Sequence, residues 1–370
     1  MTWYGSMKSL ESAMKITLTY SSKDGLIREY QRRKPRQNEK VTDDFFAEGD
    51  SMETIQAVMD ALSSFGHEVN GIEADDEAIV KLAEINPDLV MNLAEGLTGD
   101  FRESYIPMVC ERLGIPYTGS DPLTLGICLN KIRTKEILMA HQFPTPPFQV
   151  FYPRENVNTN HLLFPAIIKP AAEGSSKGID NRSVATDPIT AKELIIEKLI
   201  KYNQPVIAES FLNGAEYTVA LWGNHESIEA LPIVAINFED LPEGAWPMYS
   251  YEAKWIWDVP EQPLDIFQCP AVMSDTLKYS IESLARKVYT ILGIRDWCRI
   301  DIRLDAEGIP NVLELNPLPG ILPKPEDNSC FPKAARTAGY NYEQMIGRLI
   351  EITCKRLSKR EGIYATANRL

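Results

Sequence analysis

No apolar run in this chain of 370 residues is long and charge-free enough to cross a bilayer, and the opening MTWYGSMKSLESAMK lacks the continuous apolar centre of a secretory signal. These two absences predict a cytoplasmic protein that is neither inserted in nor exported through a membrane. Basic charge is also scarce. With 38 Lys and Arg against 52 Asp and Glu the net charge is -14, and the one basic-rich stretch, REYQRRKPRQ, is short. General binding to nucleic acid or to an anionic membrane needs a net basic surface, so both are excluded as expectations. Histidine is rare: His67, His141, His161 and His225 lie far apart, and the six cysteines at 110, 128, 269, 298, 330 and 354 form no pair of pairs. A zinc-type site is therefore not expected, and the thiols read as reduced and buried. Neither GxxxxGK[ST] nor GxGxxG occurs, which removes the Walker loop and the dinucleotide fingerprint, and there is no internal repeat or low-complexity tract.

What remains is an ordinary globular composition, 44% hydrophobic and 24% charged, on a chain long enough for two or three cores. MKITLTY (14–20) alternates like a half-buried strand. METIQAVMDALSSFGHEVNGI has a helical period, a stop at Gly66 and a second strand, and DLVMNL (88–93) precedes a helix from Glu103 to Leu113. Alternating strands and helices imply a parallel sheet wrapped by helices. The polar stretch 21–50 between the first strand and helix is long for such a connection, and loops of that length are functional or disordered. Near residue 130 the texture changes: a helix NKIRTKEILMAHQ, the proline-rich FPTPPFQVFYP, the strand-like FPAIIKP, a helix over 188–201 and the strand PVIAESFL. More strands, YTVALWG and EALPIVAI, start near Tyr217. They are followed by a helix over 274–292, the pair RIDIRL and NVLELN joined by a DAEG turn, and a closing helix from Tyr342 to Lys359.

That last strand pair puts Arg299, Asp301, Glu314 and Asn316 on one face. Two carboxylates and an amide are hard oxygen donors of the kind magnesium takes, and magnesium held by few protein ligands completes its shell with water and substrate phosphates. The plainer reading is a solvated polar face. Arg299 argues against it, because a cation beside metal ligands has a purpose when further negative charge arrives with a substrate. AAEGSSKG (171–178) can wrap a phosphate chain with backbone and hydroxyl donors or be a surface hairpin, and Lys131 and Lys169 are point charges for phosphate or simply solvated.

The order of LGIPYTGSDPLTLGICLNKIRTKEIL, FPAIIKPAAEGSSKGI, VIAESFLNGAEYTVALWG, YSYEAKW and RIDIRLDAEGIPNVLELNPLPGILP resembles the ATP-grasp superfamily, and within it the D-alanine–D-alanine ligase family. The resemblance implies a three-domain α/β ATP-grasp fold: an N-terminal parallel α/β domain (1–128), a central subdomain (129–213) and a C-terminal subdomain (214–370). ATP would lie between the last two, which are α+β. It implies that Lys131 and Lys169 contact phosphates, that Glu173, Gly174, Ser175 and Ser176 close over them, and that Glu209, Ser210 and Leu212 form the adenine hinge. Glu216 would bind ribose, and Lys254 would reach the γ-phosphate. Asp301, Glu314 and Asn316 would hold magnesium, two ions by the family pattern with manganese as a substitute. Arg299, with backbone donors around Gly320, would stabilise a tetrahedral oxyanion, with Ser176 and Lys254 also at the reacting end.

The implied reaction is ligation of a carboxylate to an amine through an acyl phosphate, releasing ADP and phosphate, with small-molecule partners and a possible homodimer. The chain departs from the family pattern after its first strand, where TYSSKDGLIREYQ offers Asp24 or Glu29 near the ammonium position. It departs again after the third strand, where NLAEGLTGDFRES places Glu95, Asp100 and Arg102 towards a first substrate. The loop ILPKPEDNSCFP is lengthened, with Ser329 as the nearest match to a serine that holds a substrate carboxylate. Different polar groups imply a different substrate, so a ligase joining an amino acid to another acceptor, of dipeptide or mycosporine type, is an alternative. An ATP-grasp kinase and a non-catalytic nucleotide-binding module are the others.

Overall fold

The computed structural model describes residues 13–32, 44–153, 156–257, 264 and 266–367. The first half begins β1 (Lys15–Tyr20), α1 (Lys23–Arg32), α2 (Met52–Ser64), β2 (Glu68–Glu73), α3 (Ala78–Ile85), β3 (Leu89–Asn92) and α4 (Tyr105–Leu113). Its three strands form a parallel sheet in the order β2-β1-β3, with Ile16 and Leu18 of the middle strand fully buried. Then come α5 (Pro122–Leu129) and α6 (Lys131–Ala140). Asp121 caps α5 ahead of a proline in its first turn, and Asn130 ends α5 while its side chain accepts from Ile132 and Arg133 N–H to start α6.

β4 (Phe148–Phe151), β5 (Ala166–Pro170), β6 (Val184–Ala185), α7 (Pro188–Tyr202) and β7 (Val206–Ser210) build an antiparallel sheet in the order β4-β7-β5-β6, with its own core between sheet and α7. The remaining elements are β8 (Glu216–Trp222), β9 (Glu229–Ala230), β10 (Val234–Ile236), β11 (Phe267–Gln268), α8 (Asp275–Ile291), β12 (Trp297–Leu304), β13 (Pro310–Asn316), α9 (Cys330–Thr337) and α10 (Tyr342–Ala367). They carry an antiparallel sheet in the order β11-β10-β8-β12-β13, with β9 on β8. One continuous apolar cluster joins Ile16, Leu18 and Leu62 of the first half to Trp222, Trp297 and Phe331 of the second.

The expected strands and the parallel first sheet are present. The polar stretch after β1, where the sequence predicts a long loop, contains a helix, α1, whose short apolar face is masked by Lys, Asp, Arg and Glu. Gly25 lets α1 approach β2: a Cβ there would fall 2.1 Å from the Glu73 carboxyl carbon. Ser22 fixes the same carboxylate by donating from its N–H and its hydroxyl, each at 2.6 Å. The helix expected from Glu103 starts at Tyr105, after a single tight turn over Arg102–Ser104. α3 and α9 were not expected, and α10 runs past Lys359 to Ala367. All six cysteines are free thiols, and among the described residues no helix is long and apolar enough to cross a membrane.

Candidate active site

The β12–β13 hairpin sets Arg299 opposite Asn316 and Asp301 opposite Glu314, with a bulge after Asp301. Alternation sends Cys298, Ile300 and Ile302 into the core, all fully buried, and the polar set to the other face. There Arg299 holds Asp301 with two hydrogen bonds of 3.1 Å, and Asn316 Nδ2 donates to Asp301 Oδ2 at 3.1 Å. Lys131 Nζ lies 3.2 Å from Glu314 Oε2. Burial disfavours charge on Glu314, but Lys131, Lys169 and Arg299 outweigh it and hold this carboxyl down at about 2.

Among the described residues no three His, Cys, Asp or Glu side chains converge in a way that could hold a metal ion. The donor set at the hairpin is two carboxylates and an amide oxygen, all hard and at least one firmly ionised, and it suits a magnesium ion that keeps substrate and water oxygens.

This face borders two adjacent hollows. The smaller, of about 110 Å³, lies between the β5–β7 sheet and the β8–β12–β13 sheet and is lined by Ile167, Lys169, Leu212, Met248 and Arg303 among others. At its floor Glu209, 1% exposed, pairs with Lys169 at 3.1 Å and Lys135 at 3.4 Å. Burial pushes Lys135 down to about 8 in spite of Glu209. The N–H groups of Ser210 and Phe211 are taken by Pro147 and Pro165 carbonyls. Glu216 meets Arg303 at 2.9 Å, and burial pushes its carboxyl up to about 7 against that pull.

The larger hollow, of about 330 Å³, holds Ser176, Lys254, Arg299, Gly320, Ser329 and Glu95 on its wall. Ser329 donates to the Gly320 carbonyl at 2.9 Å and accepts from Leu322 N–H at 3.2 Å, which fixes the loop between β13 and α9. Burial, followed by the Arg299 charge, lowers the Lys254 pKa.

The glycine-serine loop is strained and clamped. Ser175 and Ser176 have φ of 49° and 59°, a left-handed region that L-residues seldom occupy. Ser176 donates to Tyr249 O at 2.9 Å, and Lys131 Nζ donates to Glu173 O at 2.5 Å. The clamp comes from residues 44–48 in the first half. Glu48 accepts from Gly174 N–H at 3.0 Å, Arg102 at 2.7 Å and Lys177 at 3.0 Å, while Asp44 accepts from Gly178 N–H at 2.8 Å and Tyr202 hydroxyl at 3.0 Å. Burial disfavours the Glu48 charge, yet Arg102 and Lys177 hold its carboxyl down at about 2. Glu48→Gln is expected to speed amide exchange at Gly174 and Gly178 and to lower stability by about 1.5–3 kcal/mol, because buried Arg102 and Lys177 lose their shared anion. Unchanged exchange would mean that the loop holds its shape unaided.

The structure thus brings together the hairpin set, Lys131, Lys169, the 173–176 loop, the 209–212 hinge, Glu216, Lys254, Gly320, Ser329 and Glu95. Arg102 is not on the cavity wall: it is 8% exposed and spends its guanidinium on Glu48 and the Ala172 carbonyl. Asp100 is exposed, and neither Asp24 nor Glu29 lines the hollow. The expectation that Arg102 and Asp100 face a first substrate is corrected accordingly. Sequence reading missed Glu48, Asp50 and Glu103, which do line it. FFAEGD carries an acidic pair, but nothing local to it names a partner more than a hundred residues away.

Two crystal structures of D-alanine–D-alanine ligase from Bacillus anthracis, one of them complexed with ATP, superpose with a TM-score of 0.69 over 94% of this chain and all of theirs, at 22% and 23% identity. The shared architecture is the ATP-grasp fold. A family model described as D-ala D-ala ligase C-terminus matches residues 137–351. D-alanine–D-alanine ligases of Glaesserella parasuis and Cupriavidus pinatubonensis are each 33% identical to the chain, over 82% and 81% of it and 93% and 86% of their own lengths. An uncharacterised Sinorhizobium fredii protein, y4sG, is also 33% identical, over 81% of this chain and 87% of its own. The chain belongs to the D-alanine–D-alanine ligase family, a family of ATP-dependent ligases.

Proposed function

We propose that this ligase phosphorylates a substrate carboxylate with ATP and passes the acyl group to an amine, with residues 1–128, 129–213 and 214–370 as its three units. The observation that carries this reading is the adjacency of the two hollows: Ser176, Glu216, Asp301 and Glu314 border both, so a nucleotide in the smaller would point its phosphates at Lys254, Arg299 and Gly320 in the larger. The crystallised Bacillus anthracis relative with bound ATP supports the same nucleotide. Leu212 N–H and the Ser210 carbonyl face the adenine edge, Glu216 takes the ribose hydroxyls, and Lys131 and Lys169 meet phosphate oxygens under the 173–176 loop.

A carboxylate oxygen attacks the γ-phosphorus as the bond to ADP breaks. The amine nitrogen then attacks the acyl carbon, the carbon–oxygen bond to phosphate breaks, and the amine proton leaves to solvent. Asp301, Glu314 and Asn316 would hold magnesium, which when bound neutralises phosphate charge. Arg299 and backbone donors near Gly320 stabilise the oxyanion on the acyl carbon.

ADP and phosphate release that requires an amine and a divalent ion is the expected result; AMP and pyrophosphate would overturn the mechanism. Arg299→Ala should slow amide formation about 10²-fold while nucleotide affinity holds. An unaltered rate would remove Arg299 from the reacting centre.

A further inference from the structure

We propose that the end of the larger hollow formed by the first half of the chain takes a substrate with more than one positive charge, a basic amino acid or diamine, in place of an alanine. This rests on the ligase reading and deepens it. Asp50, Glu95 and Glu103 reach the wall from three separate segments: the bridge to Ser22, the loop after β3 and the tight turn before α4. No lysine or arginine among the described residues lies within ion-pair distance of any of the three. Glu103 is only 9% exposed, yet its carboxylate accepts no hydrogen bond from a described residue. A buried carboxylate on a cavity wall without a partner is costly unless a ligand supplies one.

The nearby cations Arg102, Lys131 and Lys177 attract Glu103 from a distance, but each is ion-paired elsewhere, Lys131 with Glu314. Arg102 is held by Glu48 at 2.7 Å, and Lys177 lies between Glu48 at 3.0 Å and Glu173 at 2.7 Å. Nor do the three carboxylates converge as metal ligands, since no acidic trio among the described residues could hold an ion. Carried on three separate segments, they can meet more than one positive charge of a single molecule. On the same wall Lys254, which feels the Glu95 charge, and Arg299 suit the carboxylate of the same substrate and the phosphoryl group. The ammonium of an alanine would satisfy one of the three acids and leave two.

The empty site bears the cost of this arrangement. Burial pushes Glu103 and Asp50 up to about 7, and burial, then Glu48, Glu103 and Asp50, pushes Glu95 well up. A polycationic substrate would offset that repulsion, and a neutral amino acid would not.

The test measures ADP release by the full chain with ATP and magnesium over lysine, ornithine, arginine, 1,4-diaminobutane and alanine, each in the available D and L forms, singly and paired with a neutral amino acid. Cationic compounds are expected to exceed alanine in kcat/KM by about 10²-fold. Glu103→Gln should remove most of that advantage by raising KM for the cationic compounds far more than for alanine, with the KM for ATP little changed. Thermal stabilisation by lysine without ATP, lost in Glu95→Gln, reads the same subsite without turnover. Equal or better use of alanine, or a Glu103→Gln loss shared equally by all substrates, overturns the charge assignment while the ligase reading stands. No ADP release with any amine overturns the ligase reading itself, and the assignment with it.

Discussion

Glu314→Gln lowers the rate of ADP release about 10²–10³-fold and raises the magnesium concentration needed for half-maximal rate, while ADP binding without divalent ion changes little. Glutamine keeps the shape of the side chain and removes its charge. In the native protein that charge faces Lys131 at 3.2 Å and is held ionised, down at about 2, by Lys131, Lys169 and Arg299. Without it the hairpin offers a single carboxylate, Asp301, already bound twice by Arg299. The loss falls on turnover because charge neutralisation matters most where phosphoryl transfer develops charge. Should divalent-free ADP affinity fall as far as the rate, Glu314 would be a structural prop of the nucleotide recess.

Asp296→Ala is expected to destabilise the fold by about 3–5 kcal/mol, read by urea denaturation. Asp296 is fully buried at a φ of 66°, and it accepts from Arg356 Nε and Nη2 at 2.8 and 2.7 Å, Asn224 Nδ2 at 2.8 Å, Gly119 N–H at 2.8 Å and the Thr353 hydroxyl at 2.9 Å. Alanine would leave Arg356, 8% exposed, without its counter-charge. Replacing Arg356 with methionine in the same chain should restore much of the loss, since the penalty lies in the orphaned cation. A cost under about 1 kcal/mol for the single change would mean that the arginine reaches water.

The sequence was most legible where function and periodicity coincide. RIDIRL and NVLELN alternate, so their pattern alone puts Asp301 and Glu314 on one face, and the register pairs them directly. The polar stretch after β1 was opaque for the opposite reason. α1 has a weak apolar face, and Glu48 acts through Gly174, Arg102 and Lys177, contacts that no local pattern encodes. Arg102 was misread because a cation in an acidic motif looks available until its buried partner is seen. α9 was hidden by PKPEDN, a run of breakers that ends one residue before its cap.

The shared apolar cluster from Ile16 to Phe331 has a mechanical consequence. It welds the parallel sheet and the β8–β13 sheet into one chassis, whereas the β4–β7 sheet keeps a separate core with α7. Across the seam between chassis and that sheet, Glu48 and Asp44 rivet the two sides together. The short segment that holds the glycine-serine loop is thus the same one that walls the larger hollow.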